Sequence, residues 1–147
     1  MSRVVRVATE DVRIPVARVV VERVAQAVLR AERVPRADLS ITFVSNRRIA
    51  RLNREHLAHR GPTDVITFGF APATADAPLT GDVYIAPEVS SANARAHKEP
   101  VRRELLRLVV HGVLHVIGHE HPEGGDRYDS AMWRRQEALL ARELGRA

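Results

Sequence analysis

The stretch Leu105-Leu-Arg-Leu-Val-Val-His111-Gly-Val-Leu-His115-Val-Ile-Gly118-His-Glu-His121 joins an apolar run to four of the seven histidines in a chain of 147 residues. From Leu105 to Ile117 only Arg107, His111, Gly112 and His115 interrupt the apolar side chains. A helix with that composition is buried on most of its sides, and Gly118 is its natural stop. His111 and His115 are four residues apart, a spacing that puts both imidazoles on one face of the helix.

Two imidazoles on one face can serve one metal ion. A third ligand at His119 would lie eight residues beyond His111, about 12 Å along a continued helix, against metal–nitrogen bonds of about 2 Å. Gly118 instead lets the backbone turn into a left-handed conformation and bring His121 back towards the pair. His111, His115 and His121 with an open fourth position match the donor set of a catalytic zinc site. The alternative, two hydrogen-bonded core histidines, leaves several polar ring nitrogens to satisfy inside an apolar helix. Zinc is preferred on ligand type, while nickel, copper and iron accept the same nitrogens.

Composition narrows the chemistry further. The chain has no cysteine, which excludes disulfides, thiolate metal sites and cysteine nucleophiles. Apolar residues make up 45% and charged residues 28%, an ordinary globular balance for one domain over residues 1–147. The N-terminal segment carries no apolar core of a signal peptide, and no run of about eighteen apolar residues suggests a membrane span. A cytoplasmic protein is expected. The net charge is +5, with 22 of 23 basic residues arginine. The arginine fork suits phosphate oxygens, although a dispersed, solvated surface has the same charge.

In chain order, residues 3–8 read as a strand and Val16–Val34 as an amphipathic helix. Leu39–Val44 is a second strand, and Ser45-Asn46 caps a short basic helix over Arg47–Leu57. Thr63–Phe68 is a third strand, followed by an Ala/Pro/Thr-rich loop through Thr80 with no evident chemistry. Gly81–Ile85 is a fourth strand. Pro87–Ala96 and Pro100–Ile117 are helices opened by proline, and Asp126 caps a last helix carrying Met132, Leu139, Leu140 and Leu144. The expected fold is α+β, a mixed four-stranded sheet covered by helices, with the metal site at the end of the buried helix.

The spacing His-x3-His-x5-His overlaps that of the metzincin proteases. Those enzymes place their general-base glutamate directly after the first histidine, where this chain has Gly112. Helix packing, or close approach of another backbone or of substrate, accounts for a glycine there.

His-Gly-Val-Leu-His-Val-Ile-Gly-His-Glu-His resembles the signature H-G-x-L-H-L-x-G-Y-D-H of the YbeY family of bacterial zinc-dependent endoribonucleases, whose fold is a zincin-like domain. Leu52-Asn53, Pro62–Phe68 and Gly81–Ile85 resemble the family's other blocks, in the same order. The resemblance implies a single-strand endoribonuclease acting in ribosomal RNA maturation, notably at the 3′ end of the small subunit, and in ribosome quality control. It implies one zinc ion on His111, His115 and His121, and ribosomal RNA and the small ribosomal subunit as partners.

Two positions depart from the pattern. The family's arginine after the Leu-Asn block falls on Leu57 here, so its role does not transfer; Arg54 and Arg60 are the nearby candidates for holding RNA. The family's Tyr-Asp before the last histidine is His119-Glu120. Glu120, Asp64 and Asp82 are the carboxylates available to accept a proton or orient a ligand beside zinc-bound water. Two other readings compete: a non-catalytic assembly factor with a structural zinc, which normally needs four protein ligands, and a zincin-like peptidase, which Gly112 disfavours. Six aromatic residues are too few for an extended base-stacking platform.

Overall fold

The computed structural model describes residues 2–56, 64–70, 72–120 and 130–144. The elements are β1 (Ser2–Thr9), α1 (Arg18–Ala31), β2 (Arg36–Phe43), α2 (Asn46–His56), β3 (Val65–Phe70), β4 (Leu79–Ile85), α3 (Pro87–Ala96), α4 (Val101–Ile117) and α5 (Ala131–Leu144). The strands form one mixed sheet in the order β1-β2-β4-β3. β1 runs parallel to β2 and β2 to β4, while β3 pairs antiparallel with β4, from Val65 opposite Ile85 to Phe70 opposite Thr80.

Period-two alternation gives each strand two faces. Leu39, Ile41, Phe43, Val83 and Ile85 turn inward to the main core, which they share with α1, α4 and α5. The opposite face is covered near β3 by α2, through a smaller cluster of Val44, Ile49, Leu52, Ile66 and Ala86. Towards β1 that face is open and polar, with Arg6 paired to Asp38 and Ser40 donating to Asp82 at 2.6 Å. Helices therefore cover one face fully and the other in part.

The expected elements are all present, with shifted ends. α1 stops at Ala31 rather than Val34, because Arg33 adopts a left-handed φ of 58° and the amide of Val34 returns to the carbonyl of Leu29. That is a Schellman ending made without glycine. β3 continues to Phe70 and β4 begins at Leu79, so the connecting loop is shorter than the composition suggests. Ser45 caps α2, its Oγ accepting from the amide of Arg48. Ser130 does the same for α5 through the amide of Trp133; Asp126, the expected cap, lies outside the described residues, as do Leu57 and Thr63.

α4 reaches the sheet through glycines. A Cβ on Gly112 would stand 2.6 Å from Val83 Cγ1, and one on Gly81 would stand 2.5 Å from Val116 Cγ1. Gly112 faces the sheet, and the helix packs closer there than any side chain allows. At its far end α4 closes with a Schellman motif: Gly118 has φ 124°, its amide reaches the carbonyl of His115, and that of His119 the carbonyl of Leu114. His119 Nε2 then meets Glu32, at the end of α1, and Arg135 of α5 donates to the same carboxylate at 2.9–3.0 Å. Three helices are tied at one point. Burial pulls the Glu32 pKa upward, but hydrogen bonds from His119 and Arg135 hold it below its ordinary value of 4.5.

Gly112→Ala gains helix propensity yet lowers stability by about 1–3 kcal/mol through overpacking against Val83, measured by urea denaturation, and Val83→Ala in the same chain restores most of the loss. Glu32→Gln costs about 1–2 kcal/mol at neutral pH. Because the folded pKa of Glu32 is lowered, the charged group's contribution is complete above about 4.5 and lost as pH falls through the folded value. The gap between wild type and Glu32→Gln therefore closes in acid.

Candidate metal centre

α4 is held at fixed height and rotation by its glycine contacts, and it presents His111 and His115 from consecutive turns of one face. Their ring centroids are 4.5 Å apart and the rings meet edge to face, at 77°. His111 Nδ1 lies 2.6 Å from Gln136 Oε1 on α5. The Gln136 amide donates its Nε2 to Glu137 at 3.2 Å, which assigns the oxygen to the His111 side. A carboxamide oxygen only accepts, so His111 donates from Nδ1, and the contact turns Nε2 to the opposite side of the ring. That is the usual arrangement behind a metal-ligating histidine, where the partner of the second nitrogen fixes tautomer and ring orientation.

Gln136 was not among the residues singled out from sequence. It is almost fully buried, at 1% exposure, on the apolar face of α5 with Met132, Leu139 and Leu140. Its signal is there to be read: a carboxamide at an i+4, i−3, i−4 core position of an amphipathic helix requires a polar partner.

The expected site residues separate clearly. Asp64 shares a cavity wall with His111. Asp82 does not belong with them: it alternates with Gly81 and Val83, which face α4, and so it lies on the other side of the sheet, hydrogen bonded to Ser40. The expectation that Asp82 serves as a proton acceptor at the metal is corrected by that alternation. Glu120 is exposed beyond the end of α4, and Arg54 is exposed on α2, which covers the sheet face opposite α4. His119 is turned away to Glu32. His121 and Arg60 lie outside the described residues. Among the described residues no three His, Asp or Glu side chains converge, so the centre stands there as a histidine pair with its orienting glutamine.

Beside His111 opens a cavity of about 310 Å³ between α3, α4 and α5. The buried Arg107 guanidinium lies in its wall and is bound by Glu99, by Glu104 at 2.6 Å and by Glu137 at 2.9 Å, and it sits 5.8 Å from the centre of the Trp133 ring. Three carboxylates around one cation leave no free positive charge. The hydrogen bonds from Arg107 hold the Glu99 pKa below its ordinary value. Burial pushes that of Glu104 up against the pull of Arg107.

Comparison with known proteins gives a consistent relationship. The family model described as endoribonuclease YbeY matches residues 5–143. The chain is 35% identical over 129 residues to an endoribonuclease YbeY of Syntrophotalea carbinolica, covering 82% of this chain and 83% of that protein. It is 34% identical to the Desulfitobacterium hafniense protein of the same name, covering 83% and 81%. A Thermotoga maritima protein solved in solution superposes with a TM-score of 0.65 over 97% of this chain and 90% of its own, at 24% identity, which establishes a shared fold. The chain belongs to the endoribonuclease YbeY family.

Proposed function

We propose that this protein is a zinc-dependent, single-strand-specific endoribonuclease of the cytoplasm that matures ribosomal RNA at the 3′ end of the small subunit and acts in ribosome quality control. The observation that carries the reading is the pairing of His111 with Gln136. A buried carboxamide that strips one histidine of its alternative tautomer is a device for presenting Nε2 to an ion. Family membership supports RNA as the substrate, and so does the net charge of +5.

In this scheme His111, His115 and His121 hold the ion. Zinc supplies Lewis acidity towards a phosphoryl oxygen or an attacking hydroxyl when bound. The chain's own residues do the rest. Gln136 keeps the His111 ring from rotating, and the Arg107 cluster fixes Glu137, which in turn holds the Gln136 amide. Asp64, which lines the same cavity as His111, is the carboxylate assigned in this scheme to accept a proton. Arg54 and Arg60 are the candidates for gripping the strand's phosphates outside the centre. A peptidase is disfavoured because the position after the first histidine faces Val83 and has no room for a glutamate. No helix among the described residues is long and apolar enough to cross a membrane.

The test is cleavage of single-stranded RNA, duplex RNA and an unstructured peptide by the purified chain, with metal content measured in parallel. Single-stranded RNA alone is cut, a chelator stops the reaction, and His111→Ala loses the metal and cuts at least about a hundredfold more slowly. Gln136→Leu lowers zinc affinity by about 10–100-fold while the fold persists. A His111→Ala protein that kept full zinc and full cleavage would sink the proposal.

A further inference from the structure

The cavity beside His111 has a chemistry of its own. At about 310 Å³ it is at the small end of ligand sites, which run from roughly 300 to 1,000 Å³. Leu108, Met132 and Trp133 give it apolar walls, and Asn93, Glu99 and Glu104 give it a polar edge. It is unsuited to phosphate, because the Arg107 charge in its wall is already matched by Glu99, Glu104 and Glu137. A further anion there would meet carboxylates.

What the cavity suits is a flat, uncharged group rich in N–H donors. Carboxylate oxygens retain lone pairs beyond those used by Arg107. The carboxamide of Asn93 offers a donor and an acceptor side by side and makes no hydrogen bond among the described residues. An amide of that kind reads the edge of a base in two parallel bonds.

We propose that this cavity is a nucleobase subsite: it receives the base of a nucleotide next to the scissile phosphate, while the phosphate itself stays at the histidine pair. The proposal rests on RNA being the substrate. Apolar walls bury the faces of the ring, Asn93 pairs with its edge, and the carboxylates accept from an exocyclic amino group. Adenine and cytosine carry that group beside a ring acceptor, whereas uracil offers a single ring N–H between two carbonyls that would face the carboxylates. The subsite therefore discriminates against uracil, and Asn93 is a specificity-determining residue.

Trp133 is the only tryptophan of the chain, so its indole N–H gives one identifiable signal in a ¹⁵N-correlated NMR spectrum. Adenosine, cytidine, uridine and ribose are titrated into the full-length protein. Adenosine and cytidine shift the Trp133 signal saturably, uridine binds about tenfold more weakly, and ribose leaves it unmoved. Asn93→Leu and Asn93→Ala, checked for an unchanged spectrum elsewhere, lose about tenfold in adenosine affinity. Equal response to uridine, a response to ribose, or no saturable shift overturns the subsite, as does undiminished affinity in both variants. Binding is read here without cleavage. A protein that binds adenosine at Trp133 but cuts no RNA removes the nuclease reading, and one that cuts RNA with no base-dependent shift removes the subsite alone.

Discussion

The close approach of α4 to the sheet governs where everything else sits. Gly112 lies against Val83, and Val116 against Gly81, so the side chain on one partner is matched by its absence on the other at two levels of the helix. A glycine inside a helix costs about 1 kcal/mol relative to alanine. Here the cost is offset by packing that allows little sliding or rotation of α4, since valine is stiff at χ1 and the site is close-packed. Rotation matters because His111 immediately precedes Gly112. With the glycine against the sheet, His111 and His115 are carried onto the adjoining face of the helix, where His111 meets Gln136 of α5.

Polar chemistry on that face is built from buried groups that constrain one another. Gln136 accepts from His111 and donates to Glu137, and Glu137 in turn accepts from Arg107. Arg107 is a costly residue to bury, and its carboxylate partners keep it charged and its pKa raised. The chain of contacts runs from an ion cluster to a ring nitrogen. It places a histidine whose Nδ1 is engaged by Gln136 beside a cavity in which carboxylates outnumber the one arginine.

Much of this was legible in the residues. The apolar run into His111, the four-residue spacing and Gly118 gave the buried helix and its ending, and alternation gave the strands. The ends of α1 were less legible because Arg33 takes a left-handed conformation that glycine would have signalled. Asp82 was misplaced because a carboxylate in a strand has no preferred face until pairing and packing assign one; Val83 against Gly112 does so. Gln136 went unread since its meaning lies in a partner 25 residues away. Gly112 could be read as packing or as substrate approach, and the contact with Val83 supplies the packing reason.

In the proposed centre His111 and His115 are ligands to one ion, and the Gln136 contact presents His111 Nε2. Zinc-edge anomalous diffraction from crystals of the zinc-loaded protein tests it most directly. One strong peak is expected about 2.0–2.1 Å from a ring nitrogen of each histidine, with the Gln136 contact to His111 Nδ1 retained. A zinc peak remote from both rings, or one bound through His111 Nδ1 with Gln136 displaced, would contradict it.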